Sequence, residues 1–182
     1  AVSGGSVKLK AYLAVPADVR ADIWRHLFSD AQDREQAAFM FVRKEAAEGE
    51  AIYRHVEWAP VTDGGFEYHS SAYIELTDDT RAKVIKRAHD LSCSLVEVHS
   101  HTGPWPAAFS YSDIEGLREF APHVLWRLKG RPYFAIVVAR TGFDALVWAP
   151  GSEEPAPLAG IYAGSNLLVP TALSRWDGYS DD

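Results

Sequence analysis

Residues Val96 to Gly116 read VEVHSHTGPWPAAFSYSDIEG. An apolar run ends in His99-Ser100-His101, crosses a Gly/Pro-rich gap and reaches Ser110-Tyr111-Ser112-Asp113. Side chains alternate along an extended strand, so two histidines separated by one residue point the same way. The alternation places Glu97, His99 and His101 on one face and Val96 and Val98 on the other. An Asp that arrives a dozen positions later, at the start of a helix, approaches from another direction. Two imidazoles, one carboxylate and room for a water make an open tetrahedral site, the catalytic form for zinc.

A lone histidine reads as a core or surface residue, and His26, His55, His69, His89 and His123 take that reading. The serines near Asp113 have their own bland reading. Ser112-Asp113-Ile114-Glu115 fits a capping box with Ser112 as N-cap and Glu115 at N3, and Ser110 is an alternative N-cap. If the helix starts near Ser110, Ser110 and Asp113 share one face.

Outward from this stretch, strands and helices alternate. Val7 to Val15 reads as a strand, and Pro16 opens a helix over Ala17 to Ser29 with Val19, Ile23 and Leu27 as its buried stripe. Gln36 to Arg43 is a short apolar run, a buried strand with Glu35 at its mouth. Glu45 to Glu50 is a charged hairpin tip around Gly49. Ala51 to Ala59 and Ser71 to Leu76 read as strands, with a loop over Pro60 to Gly65. Thr77 caps a helix whose buried face is Val84, Ile85, Ala88 and Leu91. Cys93 to His99 is the central strand, and a helix covers about Ser112 to Ala121. Tyr133 to Arg140 and Phe143 to Ala149 form a hairpin at Thr141-Gly142. Leu167 to Val169 is a short strand. The pattern is α/β, in a single domain.

The chain has 182 residues, 47% hydrophobic and 24% charged, with a net charge of −7 and no dense basic block. That balance points away from nucleic acid. Its one cysteine, Cys93, excludes an internal disulfide, fits a reducing compartment and reads as a buried structural thiol. No apolar run approaches the roughly 20 residues that span a bilayer, so no membrane role is expected. Residues 1–6 and 178–182 read as flexible ends. The cytoplasm is the expected location.

The motif resembles that of the JAMM metalloproteases, the JAB or MPN domain family: an upstream Glu, His-x-His, a gap, then Ser-x-x-Asp. His99, His101, Ser110 and Asp113 match it, and the order of elements is similar from Ala17 to Trp148. The gap Thr102 to Phe109 is one residue longer than the family's, within the Gly103-Pro104-Trp105-Pro106 loop. Glu35 matches the family's Glu by position and by the apolar run after it. Glu97, on the face of His99, and Glu45 are rivals.

The resemblance implies a JAB/MPN-type curved mixed β-sheet of about six to eight strands flanked by helices. It implies one Zn²⁺ held by His99, His101 and Asp113, with Glu35 as general base and Ser110 stabilising the oxyanion. The substrate would be the bond after the C-terminal tail of a ubiquitin-like protein. E1- and E2-like enzymes would share the pathway, as in bacterial anti-phage operons. Phe66 to Leu76, with Tyr73, and the Trp105 loop are candidate walls of a substrate groove. A hydrolase of sulfur-carrier proteins and a catalytically inactive MPN scaffold are the alternatives.

Overall fold

Six consecutive buried residues, Ala37 to Val42, lie in a strand covered on both faces. The computed structural model describes residues 10–45 and 49–177. The expected strand start at Val7, most of the charged tip at 46–48 and the flexible ends lie outside these residues. The elements run β1 (Ala11–Val15), α1 (Ala17–Leu27), β2 (Ala37–Glu45), β3 (Ala51–Pro60), β4 (Phe66–His69), β5 (Ile74–Leu76) and α2 (Asp78–Asp90). They continue β6 (Ser94–Ser100), α3 (Tyr111–Arg127), β7 (Tyr133–Ala139), β8 (Gly142–Trp148), β9 (Ala156–Pro157), β10 (Gly160–Ala163) and β11 (Asn166–Leu168).

Nine strands form one mixed sheet in the order β11-β10-β1-β3-β2-β6-β7-β8-β9, and β4 and β5 form a separate ribbon. β6 runs antiparallel to β2 and parallel to β7, at the centre. Alternation splits these strands between two cores. Ala37, Phe39, Phe41, Leu95, Tyr133, Ala135 and Val137 pack with α2 and α3. Ala38, Met40, Val42, Val96, Val98, Phe134, Ile136 and Val138 pack with Ile23 and Leu27 of α1. The result is a sheet between one helix and two.

Ser71 to Leu76, expected as one strand, is a strand only at Ile74–Leu76, where it pairs with the unexpected β4. Two further expectations need correction. The sheet has nine strands, more than the six to eight expected, because β9, β10 and β11 were not all legible. Strands of two to four residues are too short to display a period. β10 also needs Gly160, where a Cβ would lie 3.0 Å from the Leu168 carbonyl and 2.7 Å from Leu167 Cδ1. The second correction is α3, expected to stop at Ala121 and instead running through Pro122 to Arg127. Proline removes the bond to the Arg118 carbonyl, at about 3 kcal/mol. Continuing the helix buries Val124 and brings Leu128 to 2% exposure, each side chain contributing about 1.5–3 kcal/mol. Burial outweighs the lost bond.

At Thr77 the expectation holds: its Oγ1 accepts the Thr80 N–H at 3.0 Å, capping α2. Phe134, fully buried and edge-on to Tyr53, tests the core. Phe134→Ala should lower unfolding free energy in urea by about 3–5 kcal/mol, whereas exposed Trp126→Ala should stay within about 0.5 kcal/mol. Equal effects would mean that Phe134 of β7 is not part of the core.

Candidate metal centre

The C-terminal end of β6 meets the start of β2 by strand register. Ala37 pairs with His99, and Glu35, two residues before Ala37, carries its Oε1 to 3.9 Å from His101 Nε2. Three bonds fix this corner. Ser100 N–H donates to the Gln36 carbonyl at 3.0 Å, Gln36 N–H to Ser100 Oγ at 2.9 Å, and His101 N–H to Val138 of β7 at 2.9 Å. The ribbon holds Glu35 from the other side. Glu35 N–H donates to the Ser70 carbonyl at 2.7 Å, and His69 Nδ1–H donates to the Glu35 carbonyl at 3.0 Å. Phe66 stacks flat on the His69 ring.

Asp113 comes from the first turn of α3. Ser110 is the N-cap: its Oγ accepts the Asp113 N–H at 3.2 Å, and Asp113 Oδ2 accepts the Ser110 N–H at 2.8 Å. The capping box therefore forms at Ser110 and Asp113 rather than at Ser112 and Glu115. The same Oδ2 lies 2.9 Å from His101 Nε2 and 3.2 Å from His99 Nε2. Cap and ligand turn out to be one geometry.

The three atoms fit a metal ion. His99 Nε2 and His101 Nε2 are 3.3 Å apart, which closes a triangle with Asp113 Oδ2. A tetrahedral zinc with bonds of about 2.0–2.1 Å needs ligand atoms about 3.3 Å apart. Glu35, His99 and His101 likewise offer ligand atoms within 4.8 Å of one another. Glu35 Oε1 stands 3.9 Å from His101 Nε2, beyond hydrogen-bond reach and near enough for one intervening water. Glu35 Oε2 is buried without a protein partner.

Burial and charge oppose each other here. Burial pushes the Glu35 carboxyl up, against the pull of both histidines. It works against the charged form of Asp113 too, but His99 and His101 overcome it and hold that carboxyl well below the usual range. For His99, burial is outweighed by Asp113, Glu35 and Glu97, which raise it to about 9. The buried Asp113 carboxylate is balanced by positive charge on the neighbouring imidazoles. Without an ion, a proton on His99 serves; a divalent cation does the same work and displaces that proton.

The remaining sequence candidates separate clearly. Glu45 lies at the far end of β2, about 26 Å along an extended chain from Ala37, and pairs with Arg54 at 2.8 Å. That position removes it as a base. Glu97 does share the His99 face, but its carboxylate is engaged by the Tyr133 hydroxyl at 2.5 Å. Cys93 is buried and its thiol is pushed up by burial, as a structural thiol should be. A cavity of about 270 Å³ opens beside His99 and Asp113, lined by Tyr73, Ile74, Leu76 and Phe120. Tyr73 thus borders the site, while Trp105 is 75% exposed and does not line this cavity.

Three supporting residues escaped the sequence reading. Ser100 was visible only as the spacer between two ligands. Phe109, with its ring 5.9 Å from that of His99, resembled any loop aromatic. His69 gave no signal, because its partner is a backbone carbonyl 34 residues away.

No family model matches this chain, and no curated protein matches it. It is similar to the solution structure of a protein from Salinibacter ruber, with 16% identity over 86% of this chain and 95% of that one, at a TM-score of 0.46. A likeness that remote does not bear on function.

Metal-free protein should take up close to one Zn²⁺, and His101→Ala should lose it. Uptake at pH 7 should release protons, because His99 is protonated below about 9 and must be neutral to bind. Apparent affinity should therefore rise with pH toward 9. Calorimetry in two buffers of different ionisation enthalpy measures this; uptake without proton release would refute the assigned ligand set.

Proposed function

We propose that this chain is a JAB/MPN-type zinc-dependent isopeptidase or peptidase that cleaves after the C-terminal tail of a ubiquitin-like protein. The observation that carries the reading is the triangle of His99, His101 and Asp113 with the Glu35 carboxylate 3.9 Å from it. The donor set, two imidazoles and a carboxylate, suits zinc. Zinc, when bound, polarises a carbonyl and acidifies water at its open position.

The chain's own residues handle the proton and the substrate. Glu35, whose proton affinity is raised by burial, takes the proton from water and delivers it to the leaving amine. Its fixed backbone keeps the carboxylate aimed at the cluster. Ser110 Oγ accepts the Asp113 N–H, and its own O–H donates toward the developing oxyanion when Ser112 donates in the Ser110–Ser112 contact. One such donor contributes on the order of 3 kcal/mol to the barrier.

The cavity supports an extended substrate. Among the described residues β5 pairs with β4 alone, and Ile74, Glu75 and Leu76 line the space beside His99 and Asp113. An unpaired strand edge beside a reactive centre accepts a peptide tail by backbone pairing. No helix among the described residues is long and apolar enough to cross a membrane.

Glu35→Gln should lower cleavage of ubiquitin-like proteins carrying a C-terminal peptide extension by at least about 100-fold, with zinc content unchanged. Mass spectrometry of the products and metal analysis measure the two effects. Full activity in the variant would exclude Glu35 as the base.

A further inference from the structure

The segment after β11 crosses the loop that feeds Asp113 into the metal centre. Residues 102–110 have no regular structure, yet Ala107 and Phe109 are buried and Asp113 depends on where this loop ends. Two bonds fasten it. Thr171 Oγ1–H donates to the Ala107 carbonyl at 2.6 Å, and Phe109 N–H donates to Ser174 Oγ at 2.8 Å. Phe109 packs against His99, and Ser110 beside it caps α3.

The strap is itself anchored by a buried carboxylate. Asp144 on β8 is 2% exposed. Its Oδ1 accepts the N–H groups of Ala145 and Ala172 at 3.0 and 3.1 Å, and its Oδ2 accepts that of Ser174 at 2.9 Å. Ala172 adopts a left-handed φ of 55°, uncommon for an L residue, between these fixed points. Thr171 N–H also donates to the Phe143 carbonyl at 2.9 Å. Further on, Arg118 of α3 donates to the Trp176 carbonyl at 2.7 Å and lies over the Trp176 ring, which packs on Trp148. The strap thus joins β8, the loop and the helix that carries Asp113.

We infer that Asp144, Thr171 and Ser174 are positioning residues for the metal centre, and that residues 171–174 work as a strap setting the position of Asp113. This inference rests on the metal reading above. Partners that orient ligands without touching the ion typically affect metal affinity by about 10- to 100-fold. Asp144→Asn is a pointed test. The amide oxygen can still accept from Ala145 and Ala172, but the amide NH₂ then faces the Ser174 N–H, donor against donor.

The experiment compares wild type, Ser174→Ala, Asp144→Asn and Ser174→Thr, using zinc dissociation constants from chelator competition and hydrogen exchange at the Phe109 amide. Ser174→Ala and Asp144→Asn should weaken zinc about tenfold or more. They should also speed exchange at Phe109, while the metal-free melting temperature of Ser174→Ala stays near wild type. Ser174→Thr, which keeps the hydroxyl, should restore both. Variants that bind zinc as tightly as wild type, with Phe109 still protected, would overturn the strap alone. Wild type that takes up no zinc would overturn the metal reading, and this role with it.

Discussion

One carboxylate oxygen organises the site. Asp113 Oδ2 accepts the Ser110 N–H at 2.8 Å and lies 2.9 and 3.2 Å from the Nε2 atoms of His101 and His99. The cap fixes the side chain, so the Asp113 carboxylate beside the two histidines is held in place by the backbone of its own helix. Because the Ser110 cap requires α3 to begin at Tyr111, the helix start and the ligand position are a single constraint. Shifting the cap to Ser112 would move Asp113 off the histidines.

The central strand supplies the other half of the geometry. β6 is paired on both sides, so its register cannot slip without exchanging the valine face for the histidine face. Val96 and Val98 are buried against the α1 side, which leaves Glu97 and His99 on the opposite face. That commitment brings ionisable groups into a covered region, where charge is tolerated only when balanced. Asp113 balances the histidines, and the Tyr133 hydroxyl satisfies Glu97. Glu35, just before β2, keeps Oε2 buried without a protein partner while its Oε1 lies 3.9 Å from His101 Nε2.

Around this core, irregular segments do the fastening. The β4–β5 ribbon holds both backbone groups of Glu35, through Ser70 and His69. The segment after β11 holds the loop between His101 and Ser110, through Thr171 and Ser174. Glu35 and the loop leading to Asp113 are therefore fastened by different parts of the chain. This division lets a loop rich in Gly and Pro carry a residue that must be placed to within a fraction of an ångström.

The sequence by itself determined the elements with enough residues to show a period: α1, α2, the buried strands β2, β6, β7 and β8, and the side-by-side direction of His99 and His101. It also marked His99, His101 and Asp113 as candidates through strand alternation and a helix start, and Glu35 through the family resemblance. The length of α3 past Pro122, the short strands β4, β9 and β10 and the supporting roles of His69, Ser100, Thr171 and Ser174 were decided by tertiary structure. The physical reason is the same in each case. A local pattern reports backbone conformation and the face a side chain occupies. The Phe109 amide meets Ser174 65 residues later, and the Glu35 carbonyl meets His69 34 residues later, only after the sheet has closed the distance.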